Sequence, residues 1–470
     1  MKHLSRWGPC SHHLDHLNAL RPAHPLLSPN QSPSTLCSPT PMAHHHPRQQ
    51  PAPQCPSWAP SSSTEATRIP LPSNPRSSRW PPNLASLRFS CPNASANTFV
   101  IYTIRPIIHE PSFLSRLHSP KDLSVEEKIL VLSLCATTVL HAAPQSDLQL
   151  DKKLSLGRHF VELCLHLRQV ADWAENTTLL SIQASYHIAV ALFELKRPRA
   201  HAFYLREAVG MALDQGLHLE STYHTMDDVR AICSRRTVAL LFITERGLAI
   251  LRNKPTQMTR LPRLSTEYFD ETDGIVLAGF SALATLFSIL DEKFVRLWSG
   301  DPNGEPVDNI ASLQHALNEM SFDTPHGNFA MTDVQRADVL ITHQWLRLIF
   351  WQASMRQGLI SYSANNPIFS ALYPITIAKD LCDCVGLDDA SSYDAILVHG
   401  MGIFEKIFEV AYTLMDALTI ANQNWSESWE LRCLFNVLSA SPNSQSTYVK
   451  MLRTKLESER SPPQSPPLNS

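Results

Sequence analysis

The chain has 470 residues, including 35 prolines and only 14 glycines. Residues 1–98 hold 18 of the prolines and eight Lys/Arg against two acidic residues, whereas residues 99–470 hold 32 basic and 41 acidic residues. Few glycines argue against the phosphate-binding loops and tight crossover turns of doubly wound nucleotide enzymes. We therefore predict a basic, disordered Pro/Ser/His-rich arm over residues 1–98, followed by an acidic folded body.

The ten cysteines show no regular framework spacing, which is typical of a reduced intracellular protein. The first 25 residues mix His, Arg and Pro, so no secretory signal is predicted. The longest membrane candidate, residues 274–290, has no flanking Lys/Arg, and we interpret it as a buried helix.

From Phe99 onward the pattern is helical. Ser124 and Glu127 form a capping-box pattern before the apolar run 129–140. Apolar residues then recur every three or four positions over 154–170 and 179–195. This spacing predicts helices rather than strands, and hence an all-α fold.

The most informative stretch follows. Residues 202–213 carry an apolar stripe, and Gly216 is placed to end that helix in the left-handed conformation. A second helix starts near Arg235, becomes apolar, and is closed by Pro255.

Four long apolar segments continue the chain: 279–298, 334–357, 375–384 and 395–421. In the second of these, Trp345, Phe350 and Trp351 lie close together, and we interpret them as the aromatic core of a helix bundle. Residues 459–470 are predicted to be a disordered tail, which leaves 99–458 as the folded domain.

The motifs of common enzymes are absent from this sequence: it has no Gly-rich phosphate loop, no Gly-x-Ser-x-Gly elbow and no His-Glu-x-x-His helix. Nor does it show the acidic or histidine metal-ligand patterns of an enzyme built on a helical scaffold, such as a terpene-cyclase-like or oxygenase-like bundle. We predict no catalytic, cofactor-binding or metal-binding residues. Weak candidates that we set aside are His109-Glu110, Asp291-Glu292, Asp388-Asp389, Gly400-Met-Gly402, the His44–His46 run and the closely spaced Cys382 and Cys384.

The segment 202–223 reads AFYLREAVGMALDQGLHLESTY; it is followed by Arg235-Arg236 and by LLFITERGLAILRNKP over 240–255. In this order, these features resemble the regulatory domain, or middle homology region, of fungal zinc-cluster transcription factors of the maltose-activator and secondary-metabolism type. The segment PIIHEPSF over 106–113 resembles the usual start of that domain. The resemblance covers roughly residues 100–300.

The resemblance implies an all-α regulatory domain in a nuclear transcription regulator of a metabolic or secondary-metabolite gene set. Its implied partners are promoter DNA, reached directly or through a partner regulator, transcription coregulators, a small-molecule inducer and a second copy in a homodimer; no membrane is expected. Members of that family hold two zinc ions in a six-cysteine cluster, which this sequence lacks. Zinc would therefore be bound only if the N-terminal coding region is misassigned and omits a cluster. The other explanation is a cluster-less regulator that acts through partners.

Two interpretations of the charged motif residues stay open at this stage. One is that they form ion bridges that set how the two motif helices cross, and the other is that they form an effector pocket or an inhibitory contact. The residues are Arg206, Glu207, Arg235, Arg236, Glu245 and Arg246. For the whole chain, the alternative function is a non-DNA-binding α-helical interaction protein or partner-dependent modulator.

Overall fold

A computed structural model describes residues 105–119, 122–141, 149–173, 175–264, 266–300, 310–322, 329–362, 366–386 and 393–460. Over these residues the secondary structure is helical, with one isolated bridge between Ser361 and Ser370. The predicted all-α fold class is confirmed. The predicted arm over 1–98 lies outside the described residues, as does the predicted tail over 459–470 except for its first two residues. Those two residues are helical, so the last helix extends two residues beyond the predicted end of the folded domain.

The described residues form a succession of helices. In chain order they are α1 Glu110–Leu117, α2 Val125–His141, α3 Leu150–Arg168, α4 Leu179–Glu194, α5 Pro198–Asp214, α6 Glu220–Tyr223, α7 Asp228–Arg252, α8 Glu271–Ser288, α9 Glu292–Ser299, α10 Ile310–Glu319, α11 Asp333–Arg356, α12 Tyr373–Val385, α13 Tyr393–Leu397, α14 Met401–Ile420, α15 Trp429–Ala440, α16 Pro442–Ser444 and α17 Lys450–Arg460. Single 3-10 turns precede α1 and α12, and a π turn, Gln445–Val449, joins α16 to α17.

The predicted capping box is confirmed at the start of α2. The Glu127 amide donates to the Ser124 hydroxyl at 3.2 Å, and the Ser124 amide donates to a Glu127 carboxylate oxygen at 2.8 Å. These bonds satisfy two amides that the first helical turn leaves without intrahelical acceptors. Helix α2 then packs against α3 and α4, and α4 packs against α5.

The two motif helices are α5 and α7, which pack against each other. Gly216 follows α5 with a φ of 66°, as predicted for a residue that ends a helix in the left-handed region. Helix α7 begins seven residues earlier than predicted, because the side chain of Asp227 caps it by accepting from the Arg230 amide at 2.9 Å. It ends at Arg252, before Pro255, and its C-cap residue Asn253 has a φ of 49°.

Two segments that we predicted as continuous are broken. The segment 279–298 divides into α8 and α9, because Asp291 caps a new helix by accepting from the Phe294 amide at 2.7 Å. The segment 395–421 divides into α13 and α14, because Gly400 takes an extended conformation at the N-cap of α14. Apolar periodicity continues across both breaks, so it could not reveal them.

No single described helix is both long enough and apolar enough to cross a membrane. Helices α8 and α9 meet the criteria of length and composition only when taken together, and they are bent by 57°. Most of the apolar side chains of α8, including Phe280, Leu286 and Phe287, are buried. The predicted buried helix is therefore confirmed, with its end at Ser288 rather than at 290.

The C-terminal half packs around α11 and α14. The aromatic residues Trp345, Phe350 and Trp351 of α11 are essentially inaccessible to solvent. The Phe350 ring lies 4.5 Å from that of Phe294 on α9. The predicted aromatic core is confirmed, and it places α11 between α8 and α14, beside the site described next.

Candidate functional site

A cavity of about 290 Å³ lies between α4, α7, α8, α11 and the start of α14. Most of its wall is aliphatic, aromatic or glycine. The apolar lining includes Phe193, Leu240, Ile243, Phe280, Leu283 and Phe287. Concave, mostly apolar pockets with a few convergent polar groups are the usual form of small-molecule sites.

Two ion pairs line this cavity, and both involve the first turns of α14. Arg252 of α7 donates to one carboxylate oxygen of Glu405. Lys406 lies 3.4 Å from a carboxylate oxygen of Asp338 on α11, and it donates to the Thr342 hydroxyl at 2.6 Å. Neighbouring residues of one helix thus reach opposite walls, because side chains one position apart differ in direction by about 100°.

Burial and pairing together shift the pKa values of three of these groups, Arg252, Asp338 and Lys406. Burial opposes the charge of Arg252, but Glu405 raises its pKa above the ordinary value. Burial likewise opposes the charge of Asp338, but Lys406 lowers the pKa of that carboxyl. Burial lowers the pKa of Lys406, and Asp338 opposes this shift. Each positive charge is matched by a negative one, so these four groups add no net charge to the cavity.

One oxygen of Glu405 has no partner. Glu405 is completely buried, and its Oε2 atom receives no hydrogen bond from any described residue. Leaving a buried carboxylate oxygen without a donor is unfavourable, by about 1–3 kcal/mol or more. This atom has almost no solvent-accessible surface, so it is enclosed by protein atoms rather than exposed to the cavity.

A third polar group lies where α2, α4 and α14 meet. The Met401 amide donates to Glu194 Oε1 at 2.6 Å, and His141 Nε2 lies 3.5 Å from the same oxygen. Burial raises the pKa of Glu194 to about 7 and lowers that of His141 to about 4. Near neutral pH the histidine is uncharged and the carboxyl is close to its titration midpoint. Gly400 permits this approach, because a Cβ atom there would overlap both side chains.

Within the described residues, no ion pair formed by the charged motif residues connects α5 to α7. Glu207 of α5 pairs with Arg168 of α3, and Arg235 of α7 pairs with Glu220 of α6. Arg206 is half-buried on α5. The predicted ion bridging between α5 and α7 is therefore replaced by links from each helix to other elements.

The remaining three motif residues stabilise the surroundings of α7. Arg236 forms a buried pair with Asp273 of α8. Glu245 accepts from the Met258 amide, and Arg246 donates to backbone carbonyls after α7 and α8. Since none of the six lines the cavity, they are not its effector-binding residues.

Of the other sequence candidates within the described residues, only Gly400 and Gly402 line the cavity. His109 contacts Ser112, Asp291 caps α9, and Cys382 and Cys384 are free thiols on α12. His44–His46 and Asp388-Asp389 lie outside the described residues. Within the part of the chain that is described, no three His, Cys, Asp or Glu side chains come together to hold a metal ion. These residues do not fit a zinc cluster.

Sequence reasoning missed the cavity as a whole. A signal was available in α14, where the buried Glu405 and Glu409 and the partly buried Lys406 lie in a mostly apolar helix, and in Glu194 at the end of apolar α4. Buried charges in apolar helices are rare unless they are paired. Their partners lie 68 to 207 positions away along the chain, so the sequence alone could not assemble them.

Comparison with known proteins addresses the identity of this helical domain. Residues 96–276 match the family model described as "Fungal specific transcription factor domain". This match covers about two fifths of the chain, and the chain resembles the family over these residues. The matched segment contains α1 to α7 and the first six residues of α8.

Curated relatives agree with this family. A maltose fermentation regulatory protein of Saccharomyces cerevisiae is 25% identical over 302 residues, which cover 63% of this chain and 62% of the relative. A probable sucrose utilization protein of Candida albicans is 23% identical, covering 63% and 60%. A respiratory transcription factor of Saccharomyces cerevisiae is 24% identical, covering 68% and 69%. The chain thus spans about three fifths of the length of the first two. The matched family model and the third relative are named as transcription factors.

Proposed function

We propose that this protein is a nuclear regulator of transcription for a metabolic gene set, and that residues 99–458 act as one regulatory domain. The observation that carries the proposal is the family match over residues 96–276. Relatives named for maltose fermentation, sucrose utilization and respiration support a metabolic target set. Control of a secondary-metabolite gene set is the narrower form of the same proposal.

The cavity supports a regulatory role that depends on a small-molecule inducer. Its wall combines α4 and α7 of the family-matched segment with α11 and α14, which follow it in the chain. A ligand bound there would contact both parts at once. It would shift the balance between conformations to the extent that it binds one of them more tightly.

Recruitment to promoter DNA is proposed to occur directly or through a partner regulator, with coregulators and a second copy of the chain as further partners. The described residues contain no base-reading zinc cluster. We therefore assign the described helices to regulation, and assign DNA contact to other residues or to a partner.

Chromatin profiling of the protein, tagged at its C-terminus at the native locus, tests this function. We expect discrete promoter peaks that are absent from an untagged strain. Loss of the peaks when a candidate partner regulator is deleted would indicate recruitment through that partner, and retained peaks would indicate direct binding. A cytosolic product without promoter enrichment would reject the proposal and favour the α-helical interaction protein.

A further inference from the structure

We infer that the first two turns of α14, residues 401–406, form a switch with two positions, and that the contact between Arg252 and Glu405 holds the position seen in the structure. This inference rests on the proposed regulatory function, since it names the part of the domain that changes between regulatory states. Four observations carry it: the polar contacts at the start of α14, the apolar packing of the rest of that helix, the incomplete pairing of Glu405, and the space beside Gly402.

Three polar contacts hold the start of α14, and each comes from a different helix. The partners are Glu194 of α4 for the Met401 amide, Arg252 of α7 for Glu405, and Asp338 of α11 for Lys406. Gly400, the N-cap residue, has no side chain that could cap the helix. The amides and charges of the first turns therefore depend on partners that lie far away along the chain.

The rest of α14 is held by apolar packing. Ile407, Phe408, Ala411, Leu414 and Met415 have no accessible surface, and they belong to the apolar core of the C-terminal half. Apolar contacts have no preferred direction, whereas a hydrogen bond weakens steeply when its angle and distance change. A small displacement of the first two turns would therefore exchange their polar partners while the rest of the helix stays packed.

The pair formed by Arg252 and Glu405 is incompletely satisfied. Within the described residues Arg252 donates through Nη1 alone, to Glu405 Oε1 and to the Leu251 carbonyl, and Oε2 of Glu405 has no partner. In the Arg236–Asp273 pair, by contrast, two guanidinium nitrogens reach both carboxylate oxygens. Glu405 has thus given up its water for a single hydrogen bond, which recovers only part of the cost of burial. Such a contact adds little stability and is easily exchanged for another.

The cavity gives the start of α14 room to move. Gly402, Ile403 and Lys406 line it, and a Cβ atom at Gly402 would meet nothing within 4 Å. The first turn can therefore shift toward the cavity without a clash at this point. A molecule bound in the cavity would contact the same residues, so it would favour one of the two positions.

A paired substitution in the full-length protein tests the switch. Arg252→Met combined with Glu405→Leu replaces the ion pair by apolar side chains of similar volume and leaves no buried charge. We expect its melting temperature to equal or exceed that of the wild type. Hydrogen exchange of the Met401 amide reports the position of α14 directly, because its acceptor is Glu194 of α4. In the paired variant this amide should exchange at least about tenfold more slowly.

Arg252→Met alone should have the opposite effect on exchange. Glu405 then loses its hydrogen-bond donor, and the Met401 amide should exchange at least about tenfold faster than in the wild type. If this variant does not fold, Glu405→Gln replaces it, because the amide keeps the size of the side chain and removes its charge; faster exchange is expected here too. Buried amides of α11, over residues 345–351, are the internal reference and should exchange at wild-type rates in each variant.

The matched control is the fully satisfied pair. Arg236→Met combined with Asp273→Leu should lower the melting temperature, because that pair also bonds the Glu267 carbonyl and the Phe269 amide, which would be left without partners. An unchanged or higher melting temperature in this control would remove the contrast between the two pairs and overturn the inference.

The switch is also rejected if the Arg252/Glu405 paired variant melts below the wild type, or if its Met401 amide exchanges at the wild-type rate. Promoter occupancy is measured independently. Promoter peaks together with an unchanged exchange rate would reject the switch and leave the regulatory function intact. Slower exchange without promoter peaks in the wild type would support the switch and reject the regulatory function.

Discussion

Arg236 of α7 and Asp273 of α8 form a buried bidentate ion pair, with N–O distances of 2.7 and 2.9 Å. Arg236 also donates to the backbone carbonyl of Glu267, and Asp273 accepts from the Phe269 amide. The second arginine of the Arg-Arg motif therefore holds the connection between α7 and α8 in place. This connection lies near the end of the family-matched segment.

Arg236→Met should destabilise the domain strongly. Removing one partner of a buried pair leaves the other charge uncompensated, and we expect a loss of about 3–5 kcal/mol in the free energy of unfolding. Urea denaturation measures this change. Arg296→Ala is the control: Arg296 forms an exposed pair with Glu292, and its loss should amount to about 0.5 kcal/mol or less. Similar losses in both variants would contradict the structural role of the buried pair.

Glu245→Ala should chiefly destabilise the domain, because Glu245 accepts from two consecutive backbone amides after α7. Its oxygens lie 2.8 Å from the Gln257 amide nitrogen and 3.0 Å from that of Met258. Losing both acceptors should lower the free energy of unfolding by about 2–4 kcal/mol. Thermal melting and expression of the target genes are measured together. An unchanged melting temperature with constitutive expression would instead identify Glu245 as part of a regulatory switch.

Gly400→Ala and Gly402→Ala should have opposite effects, although they lie two residues apart. A Cβ at Gly400 would overlap His141 and Glu194, whereas one at Gly402 would meet nothing within 4 Å. We expect Gly400→Ala to destabilise by about 1–3 kcal/mol through overpacking. Gly402→Ala should stabilise by about 0.5–1 kcal/mol, because alanine favours helix more than glycine does. Equal effects on thermal stability would show that the close approach at Gly400 is not required.

The stability contributed by Glu194 should fall as the pH rises from about 4.5 to about 7. Burial raises the pKa of this carboxyl from 4.5 to about 7, so within this window the folded protein retains a proton that the unfolded chain has released. The predicted slope is about 1.4 kcal/mol per pH unit. Glu194→Gln keeps an acceptor for the Met401 amide and should remove this slope. Urea denaturation of both proteins at pH 5 and pH 7 measures it, and identical pH dependences would contradict the raised pKa.

Much of the fold could be predicted from local patterns. The capping box at Ser124 and Glu127 and the left-handed Gly216 are consequences of contacts within a few residues, so the sequence displays them directly. Apolar spacing likewise predicted the buried aromatic residues of α11. The breaks before α9 and α14 were missed, because a single capping residue, Asp291 or Gly400, redirects the chain without changing its apolar pattern.

The all-α class, most of the helices and the family resemblance could be read from the sequence, because helix periodicity, caps and motif order are local properties. Which charges meet depends instead on the three-dimensional packing of the helices. It joins Arg252 to Glu405 across 153 positions and brings Glu194 to Met401 across 207. Such pairs depend on how the helices pack, and packing also created the cavity and left one Glu405 oxygen unpartnered.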